Sequence, residues 1–216
     1  MTASPDGEAL DAIYGAWSRY KNAILDGDGE AAVAEVSPGI IAYFDELRCA
    51  VLYMPEDELR ALPLIDKVTI LSLRTQATVE DLTELDAREL YSKGVREGWT
   101  SKDVVRRMEL GSCIGMDGNK ALMKAHNVEQ ETVMVATFLK VDVTWKFDLL
   151  SMLRQSATAL DTLCATSKVP ENDFVVRMLR IASRQENSSD IWKPLLNTLD
   201  EPQEYTYIGK FWEGEA

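Results

Sequence analysis

The chain is poor in the residues that most often carry chemistry. It has one histidine, His126, among 216 residues, so histidine-based triads and most zinc sites lack their usual base or ligand. Its three cysteines, Cys49, Cys113 and Cys164, are odd in number and far apart. No CxxC or Cys/His spacing links them, which argues against a disulfide framework or a zinc site and for buried free thiols in a reducing compartment. Positive charge is scarce as well. Lys and Arg total 23 against 36 Asp and Glu, a formal net charge of −13. Such a surface repels nucleic acid and anionic bilayers. Arg106-Arg107 is the nearest approach to a basic patch, and two arginines on an expected strand edge read as a solvated face.

Long apolar runs are missing too. No stretch approaches the roughly 20 apolar residues of a membrane span. The start, MTASPDGEALDAIYG, lacks a basic and then apolar leader. A cytoplasmic soluble protein that binds neither membrane nor nucleic acid is the expectation. There is no Walker A or dinucleotide fingerprint, and GSCIG around Ser112 and Cys113 lacks the G-x-S-x-G order of a nucleophile elbow. No cofactor, metal or catalytic residue is therefore assigned.

What is present suffices for a core. Hydrophobic residues make up 46% and charged residues 27% of the chain, a globular composition. Asp117 to Leu150 is the long stretch that reads as sheet, while most of the remainder reads as helix. A sheet with one apolar face must be covered, so the expected class is α+β: helices packed on a curved antiparallel sheet of about four strands. One domain over 1–216 is expected, with a helical insertion at about 38–99 and a helical extension at about 149–216.

In chain order, Ser4 and Pro5 suit a helix start. Leu10, Ile13, Tyr14, Trp17 and Ile24 then form one buried stripe at helical spacing. The DGDGE segment at Asp26 to Glu30 resembles a calcium loop only superficially, because the EF-hand glycine and final glutamate are misplaced. It reads as a helix stop followed by a cap. Pro38, Pro55 and Pro63 punctuate further helices, and Leu64 to Leu73 is apolar on more than one side. The spacing predicts one amphipathic helix over 78–99, whose acidic cluster from Glu80 to Glu89 is a solvated face. From Met108 the period changes to two, placing Met108, Leu110, Ile114 and Met116 on one face and Glu109, Gly111 and Cys113 on the other. Hairpin turns at Asp117-Gly118-Asn119 and Val141-Asp142 complete a meander that ends in Val143, Trp145 and Phe147. Helices over 149–166 and 171–184 come next. The aromatic tail with Tyr205, Tyr207, Phe211 and Trp212 is a candidate patch for a partner or for its own chain.

Two blocks carry a family resemblance. YGAWSRYKNAILDGDGEAAVAEVS, with GNKALMKAHN and FLKVDVTWKFDLL, resembles the NTF2-like (cystatin-like cone) superfamily over Leu10 to Val36 and Met108 to Leu150. The helical material between Pro38 and Trp99, and the helices after the sheet, depart from that pattern. The resemblance implies a cone whose interior binds small molecules or whose surface binds proteins. Ketosteroid isomerase-like and SnoaL-like relatives use a carboxylate in an apolar cone as general base, a setting that raises its pKa. Tyr14 and Tyr20 on the first helix and Asp148 in the W-K-F-D element match those residue types. With Trp17 and His126 they form the ligand-binding candidates. The leading expectation is a binding module for a protein partner or small apolar ligand, with a possible homodimer through the sheet; the alternative is a ketosteroid isomerase-like or SnoaL-like enzyme.

Overall fold

The structure is a computed structural model, which describes residues 7–128, 133–183 and 189–196. The helix start at Ser4-Pro5 and the aromatic tail from Tyr205 lie outside the described residues. The chain divides into two compact units. Met1–Ala42 and Ala87–Leu153 form the first; Tyr43–Asp86 and Arg154–Ala216 form the second. Among the described residues there are ten α-helices and one four-stranded antiparallel sheet, an α+β architecture as expected.

The first unit holds the sheet. Helix α1, Gly7–Asp26, buries Ile13, Ala16, Trp17, Tyr20, Ala23 and Ile24, the three- and four-residue spacing of a single helix face. Tyr14 departs from the expected stripe and is 40% exposed. At its end Gly27 turns the chain at φ 75°, a left-handed conformation that glycine adopts without a Cβ clash. Asp28 then caps α2, Gly29–Glu35, by accepting from the Ala31 amide at 3.0 Å. The DGDGE segment is therefore a stop and a cap.

Helix α2 packs on α7, Ala87–Glu97, and the approach is close enough to dictate a residue. A Cβ added at Gly29 would lie 2.1 Å from the Ser92 carbonyl oxygen. The helix expected over 78–99 is two helices, α6 (Val79–Glu84) and α7. Thr78 and Asp81 form a reciprocal capping box at the start of α6, and Leu85 ends it in an extended conformation. A local cap and an extended residue override the long amphipathic pattern, and the boundary between the units falls at the same break. Arg106 and Arg107 close a short helix, α8 (Lys102–Arg107), instead of sitting on a strand edge. Basic side chains suit that negative end of the helix, and Arg106 also pairs with Asp103.

Strands β1 (Met108–Asp117), β2 (Lys120–Asn127), β3 (Val133–Val141) and β4 (Thr144–Phe147) form a meander in the order β1-β2-β3-β4. Ala121, Met123 and Ala125 of β2 face Phe138, Ala136 and Met134 of β3, and this is the inner, buried side. In β1 the strict alternation fails. Register shifts between Leu110 and Cys113, and between Cys113 and Gly115, place Cys113 opposite Met123 and leave Ile114 48% exposed. Each extra residue in a bulge inverts the facing of the residues beyond it, which a period-two reading cannot anticipate. Val143 belongs to the tight turn after Asp142 and is 84% exposed, so β4 starts one residue later than expected.

The second unit is helical. It comprises most of α3 (Pro38–Tyr53), α4 (Glu56–Ala61), α5 (Leu64–Gln76) and α6, most of α9 (Leu149–Ser167), α10 (Glu171–Ser183) and a 3-10 turn, Ser189–Trp192. Helix α5 is its axis. It buries Leu64, Ile70, Leu71 and Leu73, and packs on α10 and on the 3-10 turn. Trp192 is buried beneath the Arg60 guanidinium, 4.0 Å above its ring, a cation–π contact that anchors the turn.

Candidate functional site

The residues expected to line a pocket occupy three different settings. Trp17 and Tyr20 meet in the core of the first unit. Their ring centroids lie 5.3 and 5.1 Å from that of Phe147, and that of Phe138 lies 5.5 Å from Phe147. These are edge-on and tilted contacts of the kind aromatic quadrupoles favour. The four rings, together with Met123 and the small Ala121, Ala125 and Ala136, are at most 5% exposed. They fill the inner side of the sheet.

Two polar features are sealed into this packing. The Tyr20 hydroxyl lies 3.4 Å from that of Tyr91 on α7. Burial holds the Tyr20 phenol neutral by pushing its pKa up to about 12, and burial also raises that of Tyr91. The Trp17 indole N–H is buried and meets no acceptor among the described residues.

Tyr14 and His126 lie away from that core. The Tyr14 hydroxyl donates to the Gly111 carbonyl oxygen at 2.9 Å, and Lys21 Nζ donates to the Met108 carbonyl at 2.8 Å. Both side chains come from α1, so one helix occupies carbonyls along the β1 edge, where a further strand would otherwise pair. His126 pairs with Glu109 across the β1–β2 ladder and with Val133 across β2–β3. It is half-buried on the outer face of the sheet.

Asp148 is a junction. Its Oδ1 accepts from the Ser37 hydroxyl at 3.1 Å, and its amide donates to the Thr137 carbonyl at 2.8 Å. The Ser37 amide in turn donates to the Phe147 carbonyl at 2.8 Å. The W-K-F-D element therefore ties the end of β4 to the start of α3 and to β3. The structure thus unites Trp17 with Tyr20 and leaves Tyr14, His126 and Asp148 apart from them.

The outer face of the sheet is apolar and basic in character. Leu122, Val135 and Leu139 are half-buried there, and Lys120 and Lys124 are exposed beside them. At one point it is covered: Thr137 is buried, with its hydroxyl 3.0 Å from Ser151 at the start of α9.

In the second unit, three charged residues that periodicity did not single out, Asp66, Lys67 and Arg74, are buried along α5. Asp66 accepts from the Tyr43 hydroxyl at 2.8 Å, and Lys67 pairs with Glu171 at the start of α10. The Arg74 guanidinium donates to the carbonyls of Val51 at 2.9 Å, Ala50 at 3.1 Å, Met54 at 2.8 Å and Trp192 at 2.8 Å. It adds donors to carbonyls in and just after the last turn of α3 and fastens the 3-10 turn to them. Desolvation lowers its pKa to about 10. Charges set among apolar positions on more than one side of a helix were the available signal, because a buried charge requires partners.

The second unit also carries an open cleft of about 310 Å³. Pro63, Leu64 and Ile65 at the start of α5 form one wall. The other is a stripe of α9, Arg154, Ala157, Thr158 and Asp161, at the spacing of a single helix face. Among the described residues no group of three or more His, Cys, Asp or Glu side chains is placed to hold a metal ion, and no helix is long and apolar enough to cross a membrane.

Comparison of the chain with family models, with curated proteins and with solved structures found no match.

Proposed function

We propose that this chain is a non-catalytic NTF2-like module that binds a protein partner on its surface. One observation carries the reading: the inner side of the sheet, where cone enzymes keep their pocket, is packed with Trp17, Tyr20, Phe138 and Phe147. The candidate base supports it as well, since the Asp148 carboxylate is engaged by Ser37 at a strand-to-helix junction. Recognition then falls to the exterior. The outer sheet face offers Leu122, Val135 and Leu139 as apolar contact area beside Lys120 and Lys124, which favours a partner patch that is apolar with acidic groups at its rim, in an association that weakens with added salt. A second copy of the chain is one candidate partner, and light scattering across protein concentration reads it directly.

The enzymatic alternative draws on the same resemblance, with Asp148 as general base, and one experiment separates the two. Purified protein is assayed with ketosteroid and polyketide-like substrates beside Asp148→Asn, and the wild type and Leu122→Asp are used as baits with cross-linking. The module reading expects no turnover by either form and a cross-linked partner that the Leu122→Asp bait loses. Turnover that Asp148→Asn abolishes would replace it with the enzymatic reading.

A further inference from the structure

Residues 189–196 are held on the second unit as a bound peptide is held. Within 191–196 only Trp192 is fully buried, at 4% exposure, and its neighbours are half-buried or exposed. Backbone groups supply the remaining polar contacts. Arg74 Nη1 donates to the carbonyls of Trp192 at 2.8 Å and of Ile191 at 3.4 Å, and the Leu196 amide donates to the Leu52 carbonyl of α3 at 2.9 Å. One aromatic anchor with main-chain hydrogen bonds around it is a pattern of peptide recognition, in which the backbone gives affinity and the pocket gives selectivity. We propose that the seat formed by α4, α5 and the end of α3 is a peptide-binding site, filled in the isolated chain by its own residues 189–196, and that its partner is a protein segment presenting one tryptophan as its anchor.

Most of the seat is fixed independently of its occupant. Arg74 is 7% exposed, and its Nε and Nη2 are bonded to the carbonyls of Val51, Ala50 and Met54, so Nη1 is the nitrogen that serves the segment. The Arg60 guanidinium, 4.0 Å above the Trp192 ring, is held by Glu56 one turn earlier on α4, at 2.8 Å. Both cations therefore keep their positions when the occupant changes, and a pre-formed site spares a ligand the cost of ordering it. The occupant, by contrast, begins as a single 3-10 turn, a form with poor internal hydrogen bonding that takes its order from what it packs on. Emptying the seat would leave a buried donor without an acceptor and a tryptophan in water. The segment thus yields to another peptide and not to solvent.

The walls also state what that peptide must offer. A cation over an aromatic face favours tryptophan above the other rings. Two consecutive carbonyls must reach Arg74, and an amide four residues after the tryptophan must reach Leu52. Competition sets the strength required. Residues 184–188, RQENS, tether the segment to α10, and a short tether gives an effective concentration of about 1 mM. Against an intrinsic Kd of about 30 µM for a short peptide with one anchor, that tether weakens a free ligand about thirtyfold.

The inference does not rest on the NTF2-like reading, because every residue of the seat belongs to the second unit. A negative result here leaves the cross-linking experiment unaffected. The test uses the full chain and a synthetic peptide of residues 189–196 with blocked ends. By fluorescence anisotropy, Trp192→Ala protein that retains its helical circular dichroism should bind the labelled peptide with a Kd of about 30 µM, and the wild type should bind it about thirtyfold more weakly. Peptides bearing Trp192→Phe and Trp192→Ala should bind the opened protein progressively less well, the second by at least about tenfold. Hydrogen exchange on the wild type reads displacement without any substitution in the protein, and decides alone if Trp192→Ala unfolds. With peptide at about 5 mM, several times the Kd expected for the wild type, the chain's own Leu196 amide should lose protection while amides of α5 keep theirs. The proposal is overturned if folded Trp192→Ala fails to bind the peptide, if the alanine peptide binds as well as the parent, or if Leu196 stays protected. A wild-type dimer that excess peptide dissociates would also overturn it, by giving the seat to the same segment of a second copy.

Discussion

Raising the pH tests the buried tyrosine pair most directly. Tyr20 has to lose a proton inside a core of aromatic rings, and its phenol is held at a pKa of about 12 against an ordinary value of 10.0. The folded state therefore binds that proton more tightly than the unfolded state does. The resulting stabilisation is complete below about pH 10 and is lost as the pH rises through about 12. Two units at about 1.36 kcal/mol each amount to roughly 2.7 kcal/mol from Tyr20. Tyr91 acts in the same direction, since burial raises its pKa too. Arg74 acts in the opposite direction. Its pKa falls to about 10, so burying the charge costs stability below about pH 10, and that cost fades as the pH rises above it. Two measurements keep the effects apart. Tyrosinate absorbance tracked against pH should show a late class of tyrosines that ionises together with the loss of near-UV circular dichroism. Denaturant melts of the wild type and of Tyr20→Phe should show a steeper alkaline loss for the wild type, by about 2 to 3 kcal/mol between pH 9 and 12. If all tyrosines ionise in one step near 10 while the fold persists, or if Tyr20→Phe loses stability just as steeply, the sealed aromatic core is wrong.

Two further substitutions probe the packing of each unit. Gly29→Ala forces a Cβ to within 2.1 Å of the Ser92 carbonyl oxygen, so α2 and α7 must separate; a loss of about 1 to 3 kcal/mol is expected in chemical denaturation. An unchanged midpoint would show that the two helices do not meet as described. Arg74→Met keeps an unbranched side chain but strands buried carbonyls of α3 and of Trp192, so about 3 kcal/mol should be lost, with Arg74→Lys recovering part of it. Equal stability of Arg74→Met and wild type would deny the guanidinium its capping role.

Much of the secondary structure was legible because it is written in short-range chemistry. Asp28 capping α2, Pro38 opening α3, and the hairpin turn at Asp117-Gly118-Asn119 each depend on a few adjacent residues, and the turn expected at Val141-Asp142 lies one residue later, at Asp142-Val143. The candidate site was less legible. Tyr14 and Tyr20 are six residues apart on one helix, yet one donates to a strand edge and the other is sealed against Phe147. Nothing local distinguishes a tyrosine that meets a carbonyl of β1 from one that meets a ring of β4, because both partners lie far along the chain, Gly111 being 97 residues from Tyr14.

By itself, then, the sequence determined the α+β class, the four-stranded meander and most helix boundaries, because periodicity, caps and turn residues act over a few positions. Tertiary structure alone decided which face each residue of β1 presents, where the helix expected over 78–99 breaks between two units, that aromatic rings occupy the inner side of the sheet, and that Asp66, Lys67 and Arg74 lie buried. The reason is the same in each case. A bulge register, a filled core and a satisfied buried charge are set by partners that folding brings from distant parts of the chain, and no window of neighbouring residues contains them.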